Sequence, residues 1–182
     1  MKGLMIFANG FEDVEGIATM DILNRANIPL TCATVDKNLD ITTASKNKIC
    51  FKISLKDIDY QKYDFLILPG GPAVLKVLDQ NPLVNKVIID FCNHQKLVCA
   101  ICAAPYLIGK YGYFKDIEYT CFPGFNENIK EGILSEKPLV HSKNFITARS
   151  MYYTCDFALE IVSTLKGNDV AVAIAKQIKG LN

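Results

Sequence analysis

The stretch that constrains the chain most is Lys96–Ile108, KLVCAICAAPYLI. Leu97 to Ile101 is an apolar run with the length of a buried strand, and the residues after it, Ala103, Ala104, Pro105, Tyr106 and Leu107, suit a helix. Proline in the first turn of a helix costs nothing, because its missing N–H would have no intrahelical partner. Cys102 is therefore expected where a strand turns sharply into a helix. Such a turn sets a thiol above a sheet edge, near unpaired backbone N–H groups and the positive end of a helix dipole. The dipole contributes ~0.3–1 kcal/mol, and up to ~2 kcal/mol when partly buried. At ~1.36 kcal/mol per pKa unit, the helix is expected to lower the thiol pKa by up to ~1.5. This is the layout of a nucleophile elbow with cysteine in the place of serine. The competing reading is a small apolar filler, as most buried cysteines are.

The rest of the chain repeats the alternation of strand and helix. Gly3–Phe7 reads as a first central strand, Ala8-Asn9-Gly10-Phe11 as a turn, and Glu12 to Ala26 as a helix with Val14, Ile17, Ala18, Ile22 and Leu23 on one stripe. Glu12, Asp13 and Glu15 crowd its first turn, where acids complement the dipole; Glu15 has a different role if it points back over the sheet edge. Leu30–Val35 is a second strand, and Asp40–Ser45 with Lys48–Ile53 form a small peripheral hairpin. Phe65–Leu68 is a third buried strand, ending in Pro69-Gly70-Gly71-Pro72, where two glycines permit a tight turn or the close approach of a ligand. Ala73–Leu78 and Leu83–Asn93 read as helices before the strand that carries the elbow. Glu118–Cys121 is a short strand, Pro138–Ser142 and Asn144–Ala148 a ribbon, and Thr154–Leu165 and Val170–Ile178 amphipathic helices. No repeat or linker interrupts this order, so one domain is expected over residues 1–182. The fold class is α/β: a flavodoxin-like three-layer sandwich with a mostly parallel sheet of order 2-1-3-4-5, helices on both faces and a small peripheral β-ribbon.

In such sheets ligands bind beyond the carboxyl ends of the strands, near the point where the winding reverses. Three loops meet there: Asn9–Glu15, Pro69–Pro72 and the turn at Cys102. Arg149 follows the last strand at the same edge, either to hold a carboxylate or ketone oxygen or to form a surface or dimer ion pair. No GxGxxG or Walker pattern is present, so no nucleotide cofactor is expected. Two histidines, His94 and His141, leave no set of ligands for a histidine-built zinc site, and no metal is expected. Cys99 and Cys102 spell CxxC, but Cys99 falls inside the strand, unlike the first cysteine of a thioredoxin-type pair. A net charge of +1 with interspersed signs predicts no binding to nucleic acid or to a membrane. The first apolar segment is too short for a signal peptide, and seven scattered cysteines fit a reduced, cytoplasmic setting.

Four segments, ANGFEDVEGI, DFLILPGG, VCAICAAP and NFITAR with FALEIV behind it, stand in the order and spacing of the ThiJ/PfpI superfamily. The chain most resembles the subgroup of the Parkinson-disease-linked protein deglycase and its bacterial relatives, over nearly its whole length. The resemblance implies that Cys102 is the reactive, easily oxidised cysteine and that Glu15 is the carboxyl partnering its sulfur. It implies an oxyanion-type pocket from the backbone N–H groups of Gly71 and Ala103, with Gly70 beside them. It further implies a homodimer paired through the first helix, with Arg25 near the interface and Ile17, Met20 and Ala18 available for burial.

Two departures matter. Protease-like members carry histidine immediately after the cysteine; here that residue is Ala103, which disfavours a peptidase. Glyoxalase-active members place a histidine before the proline of a loop near the site; here that residue is Phe122, before Pro123 and after Cys121. Neither His94 nor His141 stands at a matching position. The activity implied is that of a glyoxalase- or deglycase-type enzyme without a cofactor, acting on α-oxoaldehydes such as methylglyoxal and glyoxal or on glycated thiols and amines. The alternative is a redox sensor or redox-regulated chaperone that works by oxidation of Cys102.

Overall fold

The computed structural model describes residues 1–181; Asn182, the last residue of the expected domain, lies outside them. Along the chain run β1 (Gly3–Phe7), α1 (Asp13–Arg25), β2 (Leu30–Thr34), β3 (Asp40–Thr42), β4 (Lys48–Cys50), β5 (Phe65–Leu68), α2 (Pro82–Asn93), β6 (Leu97–Ile101) and α3 (Pro105–Gly109). β7 (Glu118–Tyr119), β8 (Ile133–Leu134), β9 (Leu139–Ser142), β10 (Phe145–Ala148), α4 (Thr154–Lys166) and α5 (Asn168–Ile178) complete it. Every residue of β1, β5 and β10 is buried, and in β6 only Leu97 is partly exposed. Strands that are apolar without alternation are those covered by helices on both sides, and that requires a parallel sheet.

The main sheet has the order β2-β1-β5-β6-β10-β9, parallel throughout except for the pair β9 and β10. Counting the parallel strands alone, this is the expected order 2-1-3-4-5. The ribbon at residues 138–148 is thus no separate unit: its second strand is the fifth parallel strand, and its first closes the edge. β3 and β4 form the peripheral hairpin, and β7 with β8 makes a second two-stranded pair. α1 packs on α4, α4 on β6 and β10, and α2 on β5, β6 and α3. Among the described residues no helix is long and apolar enough to cross a membrane.

Two local expectations need correction. α1 buries Glu15, Gly16, Thr19, Ile22 and Leu23, while Val14 and Ile17 stand in solvent at 40% and 43% exposure. The front of the helix is rotated away from the apolar stripe because Glu15 is drawn inward. Second, Val74–Leu78 is wound as a π-helix rather than an α-helix. The wider turn carries Leu75 and Lys76 to the sheet edge.

Candidate active site

Cys102 follows β6 directly, at φ +62°, a left-handed conformation that non-glycine residues rarely hold. Such a residue costs ~1–2 kcal/mol and persists only where its surroundings fix it. Here the Cys102 N–H donates to the carbonyl of Ala148 at 2.8 Å, extending the β6–β10 ladder, and its own carbonyl accepts from the Phe122 N–H at 2.8 Å. Pro105 opens α3 at its first position, as its chemistry requires.

The Pro69–Pro72 loop is the second component. Gly71 has φ +92°, and a Cβ there would lie 2.5 Å from the backbone N of Glu12 and 2.7 Å from the Gly10 carbonyl. A Cβ at Gly70 would meet Glu15 Oε2 at 2.7 Å and Cys102 Cβ at 2.8 Å. Both glycines are there because three chain segments close on them. Backbone bonds run from Glu12 N–H to the Gly70 carbonyl (3.1 Å) and from Ala73 N–H to the Gly10 carbonyl (3.1 Å), so the loop after β5 is laced to the loop after β1.

Glu15 completes the cluster. It is fully buried, and its Oε2 accepts from the Gly70 N–H at 2.7 Å. Its Oε1 is buried without a hydrogen-bond partner among the described residues. Burial pushes the Glu15 carboxyl up to about 7 and the nearby charge of Glu12 adds to this, while the Gly70 N–H and the Cys102 thiol pull the other way. The Cys102 thiol is driven well above its ordinary value, first by burial and then by the charge and contact of Glu15; the N–H groups of Ala103 and Gly71 act on the sulfur in the opposite sense. The net shift is upward, opposite in sign to the lowering expected from a helix dipole alone. α3 has five residues and begins three residues after the sulfur, too little to offset desolvation and a carboxylate at close range.

Cys102 opens onto a cavity of about 320 Å³ lined by Gly71, Pro72, Leu75, Lys76, Cys102, Ala103, Phe122 and Phe125. Phe122 and Phe125 meet edge to face, 6.4 Å between centroids and 75° between planes. Phe122, where a histidine was the familiar residue, thus forms a wall and carries no proton. Leu75, Lys76 and Phe125 were not anticipated: they come from a π-turn and an irregular loop, where no periodicity marks the inward face.

Of the remaining candidates, Arg149 does follow β10 at this edge, yet it is not brought to Cys102. Its Nη2 donates to the Ser135 carbonyl (3.2 Å) and pairs with Glu136 (3.3 Å), and it lines a separate depression with Cys121 and Ser135. The chain between β8 and β9 holds it in an ion pair with the exposed Glu136, away from the residues that line the cavity over Cys102. Arg25 sits at the end of α1 in an exposed pair with Asp21 at 2.7 Å. His141 bonds Glu160 at 2.8 Å and His94 the Asp90 carbonyl at 2.8 Å, neither one lining the cavity. Cys99 is fully buried within the ladder of β6. Asp13 stands in the first turn of α1, where an acid serves the dipole, and it also ties α1 to the hairpin loop. Burial opposes its charge, but bonds from Ser45, Thr43 and Asn47 prevail and hold its carboxyl far below the usual range.

Known proteins resemble this chain in sequence and fold. The chain is 31% identical to the Parkinson disease protein 7 homolog of Danio rerio over 177 residues, 95% of this chain and 94% of that one. It is 27% identical over 169 residues to a protein of Caenorhabditis elegans named glutathione-independent glyoxalase DJR-1.2, covering 92% and 89% of the two chains. The crystal structure of a DJ-1 superfamily protein from Salmonella typhimurium superposes with a TM-score of 0.90 at 27% identity, covering all of both chains. The match to the DJ-1/PfpI family runs over residues 1–164 and takes in the β1–α1 loop, the paired glycines and the cysteine elbow, so the chain belongs to the DJ-1/PfpI family.

Proposed function

We propose that the protein is a cofactor-independent glyoxalase- or deglycase-type enzyme that converts α-oxoaldehydes such as methylglyoxal and glyoxal, free or as adducts of thiols and amines, to 2-hydroxy acids. The observation that carries this reading is the buried Glu15 carboxyl, titrating near 7, held against a thiol that also faces the Gly71 and Ala103 N–H groups. A relative named as a glyoxalase supports it.

The chemistry follows from where the proton sits. With Glu15 charged, the thiol keeps its proton; when that proton passes to Glu15 the carboxylate's opposition disappears, and the two N–H groups offset part of what burial costs the thiolate. The Cys102 sulfur attacks the aldehyde carbon, the C=O π bond opens, and the oxyanion accepts from the backbone N–H pair before taking a proton from Glu15. The resulting hemithioacetal has a C–H beside a ketone. Glu15, now a carboxylate, removes that proton and returns one to the neighbouring carbon, while the hydroxyl proton passes from the former aldehyde oxygen to the former ketone oxygen. The aldehyde carbon becomes a thioester as the ketone becomes an alcohol, so no outside oxidant or reductant is needed. Water then releases the hydroxy acid and restores the thiol. Ala103 and Phe122 leave no histidine to act as a peptidase base.

Lactate formed from methylglyoxal by the wild type, Cys102→Ala and Glu15→Gln provides the test. Cys102→Ala is expected at the rate of buffer, and Glu15→Gln to fall at least ~100-fold, the usual minimum for a lost acid–base group. Equal rates in wild type and Cys102→Ala would remove this reading. A second reading, a redox sensor, is favoured by the two N–H groups facing the sulfur itself, where they would hold a sulfinate oxygen. It requires Cys102 to gain two oxygens before any other cysteine when the intact protein is titrated with peroxide. Either activity is proposed to reside in a homodimer paired through α1, on which Val14 and Ile17 stand exposed.

A further inference from the structure

We infer that the cavity over Cys102 selects α-oxoaldehydes bearing an aromatic ring over the two- and three-carbon aldehydes, with Phe122 and Phe125 as the residues that set the preference; this rests on the glyoxalase-type reading above. The polar groups of the site lie at its floor, where Cys102, Gly71 and Ala103 line the cavity, and just behind it, where the Glu15 carboxyl is buried. They serve the dicarbonyl head, which every α-oxoaldehyde shares. Selection among such substrates therefore falls to the walls.

Those walls are Pro72, Leu75, Phe122 and Phe125, with Lys76 the single charged residue. Leu75 and Phe122 are 46% and 44% exposed, large apolar groups left open beside a reactive sulfur. The volume of about 320 Å³ reaches the range of small-molecule sites, ~300–1,000 Å³, and far exceeds what a three-carbon aldehyde fills. All of these aldehydes, phenylglyoxal included, travel hydrated at the head, so hydration does not separate them and the side group must. An aryl group loses no hydrogen bonds on entering and covers the exposed Phe122 and Leu75. The perpendicular arrangement of Phe122 and Phe125 presents a face and an edge, the two surfaces on which a third ring packs favourably. Phe122 is also held in register with the nucleophile, because its N–H bonds the Cys102 carbonyl.

Two measurements test this. In the first, kcat/KM is determined for phenylglyoxal and methylglyoxal with wild type, Phe122→Ala and Phe125→Ala, each corrected by Cys102→Ala. The wild type should favour phenylglyoxal at least tenfold, about 1.4 kcal/mol, and the preference should fall at least fivefold in each variant. Referring each variant to wild type cancels the difference in intrinsic reactivity of the two aldehydes. In the second, Cys102 is alkylated with iodoacetamide in the presence of phenylglyoxylate or pyruvate, which differ only as phenyl and methyl. Phenylglyoxylate should half-protect at a concentration at least tenfold lower, and Phe122→Ala should erase most of that gap. If neither aldehyde turns over while protection still favours phenylglyoxylate, the glyoxalase reading falls and the aromatic preference stands. If both turn over but the ratio is near one, or is unchanged in both variants, the aromatic preference falls and the glyoxalase reading stands. Phe122 is exposed enough for its truncation to leave folding intact, which a thermal melt verifies.

Discussion

Glu15 makes the protein's stability depend on pH in an unusual direction. Its carboxyl titrates near 7 in the folded chain against an ordinary 4.5. Between those values the folded state keeps a proton that the unfolded chain has released, so this group's contribution is full below about 4.5 and is lost as pH rises through 7. At ~1.36 kcal/mol per pKa unit the loss amounts to roughly 3 kcal/mol. Urea unfolding of wild type and Glu15→Gln at pH 5 and pH 8 checks this: the wild type should lose about that much relative to the variant, and a difference independent of pH would contradict it. The burial itself could not be read from the neighbouring residues. Val14 and Ile17 look like the inward positions, and only the pull of the Gly70 N–H and the sulfur reverses them. Cys102 was legible, because an apolar run, two alanines and a proline leave one place for a sharp turn.

The loops after β1, β5 and β6 act as one element at this edge. Gly71 is where they are least tolerant: its φ is +92°, and an added Cβ would strike backbone atoms of both Gly10 and Glu12. Gly71→Ala should therefore cost about 3 kcal/mol, combining left-handed strain with the displacement of two peptides. At ~2–4 °C per kcal/mol for a chain of this size, a thermal melt should drop by roughly 6–12 °C. A loss below 2 °C would mean that the loops are not tied together as described. The pair of glycines announced a turn; the lacing did not show in the sequence, because it runs between main-chain groups 58 and 63 residues apart in sequence. Nor did the walls of the cavity, which come from a π-turn and a loop without regular spacing.

At the scale of the whole molecule, strand order was the most legible property. Uninterrupted apolar runs separated by helices admit few arrangements, and the observed order agrees with 2-1-3-4-5. Association was not legible beyond the resemblance, since one helix face reads the same whether it meets water or a second copy. Val14 and Ile17 form the exposed apolar part of α1, and the proposed homodimer would cover them. Light scattering after gel filtration should find a dimer for the wild type and a monomer for Ile17→Lys, with helix content unchanged by circular dichroism. A monomeric wild type, or a variant that remains dimeric, would exclude pairing through this face.

The ties among Gly10, Glu12, Gly70, Ala73, Ala148 and Cys102 use peptide groups, which stay the same whatever side chain is attached. Leu75, Phe122 and Phe125 carry none of that framework in their side chains. An engineer could therefore redraw the entrance to the pocket one residue at a time, and the seat of the sulfur would not register the change.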